Sequence, residues 1–380
     1  MSRIENLNIE LKALMPFFIL LLMMVVLPVP VGATAKPETI RVALLKGADQ
    51  VKVDGTGILV LDGQGEQLRT TFPLTVKRER KRLTVNGKSV DALTLSAPSM
   101  AFVNGKGYRG SLEITLAERG LLVVNELPLE EYLVGLINCE ISSVWPLEAI
   151  KAQAVVARSY ALHQKEARKG ARYHLEATVM DQVYDGCAVE DDRAALGVRE
   201  TAGEVLTHNG LTALTFFHSN CGGHTEAAEQ VWSTKLPYLG GVPCRYCLTV
   251  PSASWEVTLS LAKIEALLKG GGVSLTGLRD LTPGPRNESG RLISIRLTTA
   301  KEMQEISATS FRKALGYTVI RSTRFDISVT GDSVRFTGGG YGHGVGLCQW
   351  GARSRAVDGF SYREILEYYY PGTVLKKVTN

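Results

Sequence analysis

The stretch LPLEEYLVGLINCEISSVWPLEAIKAQAVVARSY, Leu127–Tyr160, decides how the rest of the chain is read. Pro128 suits the first turn of a helix, where an amide hydrogen has no intrahelical partner to lose. Leu129, Tyr132, Leu133, Leu136 and Ile137 recur at helical spacing and make one apolar face. Ile141–Trp145 reads as a turn, and Pro146 opens a second helix that runs to about Arg168. Glu140 falls at the end of the first helix, where the peptide dipoles disfavour a carboxylate. Partial burial there would raise its pKa, which is what a general acid needs near neutrality. A solvated glutamate that happens to end a helix is the ordinary alternative. In the second helix Ile150, Ala154, Ala157 and Ala161 form a narrow face of small side chains, which lets another element approach closely. Lys151 and Arg158 are seven residues apart and point the same way, with Gln153 and Tyr160 on adjoining faces. A cationic strip beside a carboxylate suits a groove for a polar polymer; solvated bases on an amphipathic helix fit the spacing equally well.

Outward from this pair, the chain of 380 residues is long enough to bury a large core in one or two domains. Its formal charge of +5 permits an anionic polymer as ligand, but no Lys/Arg cluster interleaved with aromatics points to nucleic acid. Residues Met1–Ala35 read as a signal peptide or an N-terminal anchor. Arg3 and Lys12 precede an apolar run from Ala13 to Val31, and Ala33-Thr34-Ala35 resembles a cleavage site. The protein is therefore expected to be exported, periplasmic or wall-associated, with at most one membrane tether. From Lys36 to Arg119 short β-rich runs alternate with Gly, Asp-Gly and Asn-Gly turns. The expected fold class is α+β: a β-rich N-terminal region over 36–119, then a mixed α/β domain over 120–380 built on the helix pair. A strand at Trp255–Ser260, a helix at Leu261–Lys269, a strand at Ile293–Thr298 and a helix at Ser307–Gly316 suggest an inserted subdomain at about 255–330.

There are six cysteines. Cys221-Gly-Gly-His224 and Cys244-Arg-Tyr-Cys247 are two chelating pairs at a separation that matches a structural zinc site. The expected ligands are Cys221, His224, Cys244 and Cys247, with His218 as a substitute for His224. Disulfides in an exported protein, or free thiols, are the competing readings. All four positions would be filled by protein, so this zinc braces a loop and the chemistry itself requires no cofactor. Cys139 reads as a small buried hydrophobe. Seven glycines between Gly338 and Gly351 let backbone approach a ligand closely, and the phosphate-loop lysine is missing. Ser361-Tyr-Arg-Glu364 is a capping box for a last helix.

The helix pair, together with Asp181–Gly186 (DQVYDG), Phe216–Glu226 (FFHSNCGGHTE) and Gly338–Ala352 (GGGYGHGVGLCQWGA), resembles the SpoIID/LytB family, the stage II sporulation protein D type. The resemblance runs from about Asn125 to Gly372. It implies a lytic transglycosylase that cleaves the bond between N-acetylmuramic acid and N-acetylglucosamine in peptidoglycan glycan strands bare of stem peptides, leaving a 1,6-anhydro product, with the motif's glutamate at Glu140. It implies further that Gln182 and Tyr184 line the groove, that His218 and Ser219 sit on a loop beside it, and that Tyr341, His343 and Gln349 contact the sugar with Lys151, Gln153 and Arg158. Where the family has Met-Ser this chain has Leu347-Cys348, a change expected to leave the chemistry untouched. Two alternatives stand beside this reading: a non-catalytic enhancer of a partner amidase, and a hydrolase pairing Glu140 with Asp181 or Asp185.

Overall fold

The computed structural model describes residues 37–378 apart from 233, 251 and 252. The leader expected at Met1–Ala35 lies outside the described residues. The fold is α+β, and Glu38–Thr379 form one compact unit.

Eleven strands precede the first helix among the described residues: β1 (Thr39–Ala48), β2 (Gln50–Asp54), β3 (Leu59–Asp62), β4 (Leu74–Glu79), β5 (Arg82–Val85), β6 (Lys88–Val90), β7 (Ala92–Ser96), β8 (Ala101–Val103), β9 (Lys106–Tyr108), β10 (Ser111–Leu116) and β11 (Leu121–Pro128). With β12 (Leu175–Glu176) they form two six-stranded sheets, ordered β12-β1-β11-β10-β7-β3 and β6-β5-β4-β2-β8-β9. Alternation sets the faces. In β2, Val51 and Val53 are buried while Gln50, Lys52 and Asp54 are exposed. β11 lies between β1 and β10 and is buried along nearly its whole length, as a strand covered on both faces must be. The division expected at residue 120 therefore runs through the middle of a sheet.

β11 feeds directly into α1 (Leu129–Glu140), and a turn leads to α2 (Leu147–Ala167). Leu133, Leu136 and Ile137 of α1 join the strand core built on Ile40, Leu93 and Val123. α2 is sandwiched. Its Ile150, Ala154, Ala157 and Ala161 face that core, while Ala152, Val155 and Val156 enter a second core with Leu206, Val345, Leu347 and Tyr370. The small-residue face does bring a neighbour close. In α3 (Asp192–Glu200), a Cβ on Gly197 would sit 2.5 Å from Ile150 Cγ2.

β13 (Glu204–His208) and β14 (Leu211–Thr212) form a hairpin whose Asn209 and Gly210 both have positive φ, the requirement of a tight two-residue turn. β15 (Phe217–His218) and the short α4 (Glu229–Trp232) follow. A third core belongs to β16 (Ser254–Ser260), α5 (Leu261–Gly270), β17 (Leu278–Pro283), β18 (Ser294–Thr299), β19 (Met303–Ser307), α6 (Ala308–Leu315), β20 (Phe325–Thr330) and β21 (Ser333–Gly339). Trp255, Ile264, Ile295, Phe311, Phe325 and Phe336 fill it, so the insert has an interior of its own that reaches past residue 330. The chain closes with β22 (Leu347–Cys348), α7 (Gln349–Val357), α8 (Tyr362–Tyr369) and β23 (Val374–Lys377). Both halves of the capping box at Ser361 and Glu364 are formed. β22 pairs in parallel with β15, which delivers α7 to the side of the helix pair. Among the described residues no helix is long and apolar enough to cross a membrane.

Candidate active site around Glu140

The end of α1 is built to leave Glu140 short of charge partners. Acidic residues stand in its first turn and no base stands in its last, so nothing on the helix offsets the negative partial charge at its C-terminus. A loop then covers it. A Cβ on Gly135 would lie 2.8 Å from Tyr184 Cε2 and 2.9 Å from the Gly186 oxygen, so glycine is what lets residues 181–186 rest on α1. Tyr184 anchors this loop inward: its hydroxyl donates to Asn125 Oδ1 at 3.2 Å and its ring lies 4.9 Å from that of Tyr132. Gln182 is spent on the protein as well, accepting from the Tyr132 hydroxyl at 3.2 Å and donating to the Ala157 oxygen at 3.4 Å. Asp181 is gripped by Arg168 at 2.8 and 3.0 Å, by the Tyr160 hydroxyl at 2.8 Å and by the Glu176 amide at 2.9 Å.

What the loop gives to the site is a backbone group: the Val183 amide donates to Glu140 Oε1 at 2.9 Å. Gln349, the first residue of α7, acts on Glu140 in the sense that lowers its pKa, and its Nε2 lies 3.5 Å from Gln153 Oε1. Burial raises the Glu140 carboxyl from 4.5 to about 7, and Val183 and Gln349 oppose that rise without cancelling it. No neighbouring carboxylate contributes to the shift. Gln153, Ala157 and Tyr160 follow one another at helical spacing, so a single face of α2 meets Gln349, Gln182 and Asp181 in turn.

The cationic strip expected from sequence faces elsewhere. Lys151 and Arg158 lie roughly 140–160° around α2 from Gln153, at about 100° per residue. Arg158 is buried and holds Glu130 with two bonds, at 2.8 and 2.7 Å, while its third arm donates to the Glu204 oxygen at 3.1 Å. Lys151 pairs with Glu148 at 2.8 Å and Glu200 at 2.7 Å. These bases hold helices together. Gln182 and Tyr184 likewise position the loop from beneath. Of the residues singled out in the sequence, Glu140, Gln153 and Gln349 come together, with Gln182 supporting them.

The remaining expected contacts gather along β15 and the glycine-rich turn. A Cβ on Gly346 would lie 2.0 Å from the Phe216 oxygen, which explains the glycine where these segments cross. Val345 orients both imidazoles: its oxygen accepts from His218 Nδ1 at 3.1 Å and its amide donates to His343 Nδ1 at 3.0 Å. Burial, together with nearby cationic groups, pushes His218 well down and His343 to about 3, so both rings are neutral. His218 Nε2 is buried without a partner. Trp232, 42% exposed, stacks on Phe216 at 4.2 Å and lies 4.9 Å from His343. Phe216 also neighbours Tyr160, at 6.0 Å, which ties this group to the site-bearing face of α2. Ser219 contributes its oxygen, which accepts from the Trp350 amide at 3.1 Å. Tyr341 exchanges two backbone bonds with Asn220, at 2.9 and 2.7 Å.

The thiols differ from expectation at one position. Cys221, Cys244, Cys247 and Cys348 are buried with their sulfurs all within 4.8 Å of one another. Cys348 therefore takes the place expected for His224, whose Nδ1 lies 2.6 Å from the Thr225 oxygen; His218 is not in the group either. Four thiolates fit tetrahedral zinc, whose bonds of about 2.3 Å set the sulfurs roughly 4 Å apart. Cys348 is also the residue that caps α7: the amides of Cys221 and Gly351 donate to its sulfur at 3.3 and 3.4 Å. The signal passed over was Cys348 itself, a cysteine far in sequence from the two chelating pairs. Cys139 lies outside this group, and burial lifts its thiol to about 11.

Sequence reasoning also passed over Trp145 and Trp350, whose rings lie 4.9 Å apart with the Arg353 guanidinium over both. A cavity of about 660 Å³ between the cysteine loop and the insert is lined by Gly222, Leu248, Arg324 and Gly338, and by none of the groups around Glu140.

A family model described as stage II sporulation protein matches residues 117–208, the segment that carries α1, α2 and the 181–186 loop. A second, described as a domain of unknown function, matches residues 251–346, the insert. An uncharacterised protein of Brachyspira hyodysenteriae is 36% identical over 307 residues, covering 80% of this chain and 82% of that one. The stage II sporulation protein D of Bacillus subtilis is 30% identical over 271 residues, 67% of this chain and 76% of that one. An amidase enhancer of Bacillus subtilis is 30% identical over 291 residues, which are 64% of this chain and 40% of the relative.

Proposed function

The chain belongs to the stage II sporulation protein D family, and from that footing we propose that it is a peptidoglycan lytic transglycosylase with Glu140 as general acid and base. The observation that carries the reading is the state of Glu140: a buried carboxyl lifted to about 7, held by the Val183 amide, with no acidic partner. A hydrolase of the usual kind needs a second carboxylate as nucleophile or water-activating base. Asp181 is consumed by Arg168 and Tyr160, and Asp185 is paired with Lys106. A lone acid suffices if the muramic acid supplies its own nucleophile. Glu140 gives its proton to the glycosidic oxygen as the bond from the muramic C1 breaks. The ionised carboxylate then takes the proton of the 6-hydroxyl as that oxygen bonds to C1. The product is a 1,6-anhydro sugar, no water is consumed, and Glu140 ends protonated as it began.

Incubation of glycan strands with wild type and Glu140→Gln, followed by mass spectrometry, tests this directly. Anhydro-ended fragments are expected from wild type, with a fall of about 10²–10⁴ in the variant. Equal yields from both would end the proposal. The rate of the wild type should fall as pH rises past about 7, because the donor then loses its proton.

The amidase-enhancer relative favours a second reading, a wall-bound stimulator of a partner amidase. No cleavage by the pure protein, with amidase activity rising on mixing, would select it. Both readings put the protein outside the cytoplasm with the wall polymer as its ligand. Cys221, Cys244, Cys247 and Cys348 would hold a structural zinc ion, which would fix the start of α7 and hence Gln349. Metal analysis should give one zinc per chain, lost in Cys348→Ser and kept in His224→Ala; the opposite pattern would restore His224 as a ligand.

A further inference from the structure

We infer that the outer face of β2, β4 and β5, with the tip of the β4–β5 hairpin, docks a linear wall polyanion with closely spaced phosphodiesters, of the polyol-phosphate kind. This surface is separate from Glu140 and does not depend on which reaction Glu140 serves. Between Leu74 and Val90 the chain carries six bases and one acid, a surplus equal to the formal +5 of all 380 residues. The run Lys77-Arg78-Glu79-Arg80-Lys81-Arg82 crosses the hairpin, and it holds no aromatic on which a nucleobase could stack.

Register sets where these charges point. Val51, Val53, Leu74, Val76, Leu83 and Val85 are buried, so Lys52, Lys77 and Arg82 face outward on the opposite parity. Lys77 lies opposite Gln50 on β2 and Thr84 on β5. Lys52 stands two residues after Gln50, and Arg82 two before Thr84. β2 and β5 both run antiparallel to β4, so the three bases form one straight diagonal across three strands, in steps of about 7–8 Å. Arg80 and Lys81, both exposed, extend the line at the tip. Arg41, Arg158 and Arg168 each hold a carboxylate. Lys52, Lys77, Arg80 and Lys81 enter no ion pair among the described residues, and Arg82 meets Asp91 only at 3.6 Å, with both side chains 61% exposed. Like charges so arranged repel one another. The turn adds strain: Arg80, the first central residue of a two-residue hairpin, has φ 55, where glycine is favoured. The other non-glycine residues with positive φ among those described are all asparagines, the side chain that tolerates it best. A base kept at such a φ, beside uncompensated bases, serves a ligand better than it serves the fold.

The spacing favours a polymer charged at every short repeat. A three-carbon polyol phosphate repeats after six backbone bonds, which span about 7 Å when extended, as two peptide residues do. Bare glycan carries one carboxylate for every two sugar rings, a coarser interval. A bilayer suits the place less well. The Arg78 amide donates to the Asp49 oxygen at 2.9 Å, so the tip lies past the end of β1, about 30 Å along that strand from Thr39, where an N-terminal tether would join the fold. Residues 77–82 also offer no large apolar side chain to enter lipid.

The test titrates the full-length protein with synthetic poly(glycerol phosphate), with bare glycan strands and with phosphatidylglycerol vesicles, each at low and at physiological salt. One variant, Lys52→Gln combined with Lys77→Gln and Arg82→Gln, removes the diagonal; a second, Arg80→Gly, removes the base at the strained turn. Circular dichroism melts check folding, and Lys77→Gln alone replaces the triple variant if that fails to fold. The triple variant should bind poly(glycerol phosphate) about ten- to a hundredfold more weakly at low salt. Its affinity should also depend less steeply on salt, because fewer counterions are released. Arg80→Gly should bind the polymer about two- to fivefold more weakly yet melt at or above the wild-type temperature, since glycine relieves the turn. Equal polymer affinity in wild type and triple variant overturns the inference, as does a wild type that does not bind the polymer. A loss confined to vesicles overturns it in favour of a lipid surface, and a loss confined to glycan strands in favour of the sugar polymer.

Discussion

The two sides of α2 carry similar polar residues and do opposite jobs. One side presents Arg158 to Glu130 and Lys151 to Glu148 and Glu200, closing charge pairs between helices. The other presents Gln153 to Gln349 and thereby reaches Glu140, which has a hydrogen bond but no cation. At one end of α1 a glutamate is neutralised; at the other a glutamate is desolvated and kept protonated near neutrality. The difference teaches that a buried charge given its counter-ion is spent on the fold, whereas one denied it is available for chemistry.

The comparison breaks first at Arg158. It is 1% exposed and supports Glu130 with two bonds, so Arg158→Met leaves a partly buried carboxylate without its partner. A loss of about 3–5 kcal/mol in unfolding free energy is expected. Urea titration measures it, and Glu130→Gln combined with Arg158→Met should recover part of the loss. If Arg158→Met kept full stability while losing glycan binding, Arg158 would belong to the groove after all.

Glu140 should behave in the reverse sense. A carboxyl with a folded-state value of about 7 against an ordinary 4.5 makes no difference to stability below pH 4, where both states are protonated. Between those values the unfolded chain ionises first, and folding becomes less favourable as pH rises. Above pH 7 the full penalty is present, on the order of 1–3 kcal/mol. Glu140→Gln removes it. The variant should match wild type in thermal melts at pH 4 and exceed it at pH 8. An equal or lower melting temperature at pH 8 would mean that the carboxyl is solvated and unsuited to proton donation.

Much of this was legible in sequence because it follows local rules. Pro128 and Pro146 mark the helix starts, Asn209-Gly210 the hairpin, Ser361 and Glu364 the last cap, and each lies where its pattern implied. The motif singled out Glu140, and the structure buries that side chain at the end of α1. What sequence could not supply was the direction in which a long polar side chain is spent. Lys151 and Arg158 were grouped by their shared face, but their partners Glu130 and Glu200 lie on α1 and α3, tens of residues away. Gln182 and Tyr184 are polar and sit in a loop, yet Gly135 lets that loop collapse onto α1 and turns both inward. Cys348 was hidden by distance: a thiol cluster split between residues 221–247 and 348 has no local spacing to read. The boundary near residue 120 failed to register that β11 is central to a sheet whose other strands, β12 apart, come earlier.

The smallest effect is expected at Lys151, and it is the most pointed test of the two sides. Its ammonium bridges Glu148 and Glu200 near the surface, and such pairs contribute about 1 kcal/mol or less. Lys151→Met should shift stability within that range and leave the rate of anhydro formation within about twofold of wild type. Gln153→Met, two residues along, keeps the volume but removes the amide that Gln349 meets. Its stability should change little, because the Gln153 Nε2 is already buried without a partner. Its rate should fall by about tenfold, since Gln349 would lose one of the groups that hold it against Glu140. The two variants thus differ in rate far more than in stability. If Lys151→Met were the slower enzyme, the cationic side of α2 would be the one that faces the sugar.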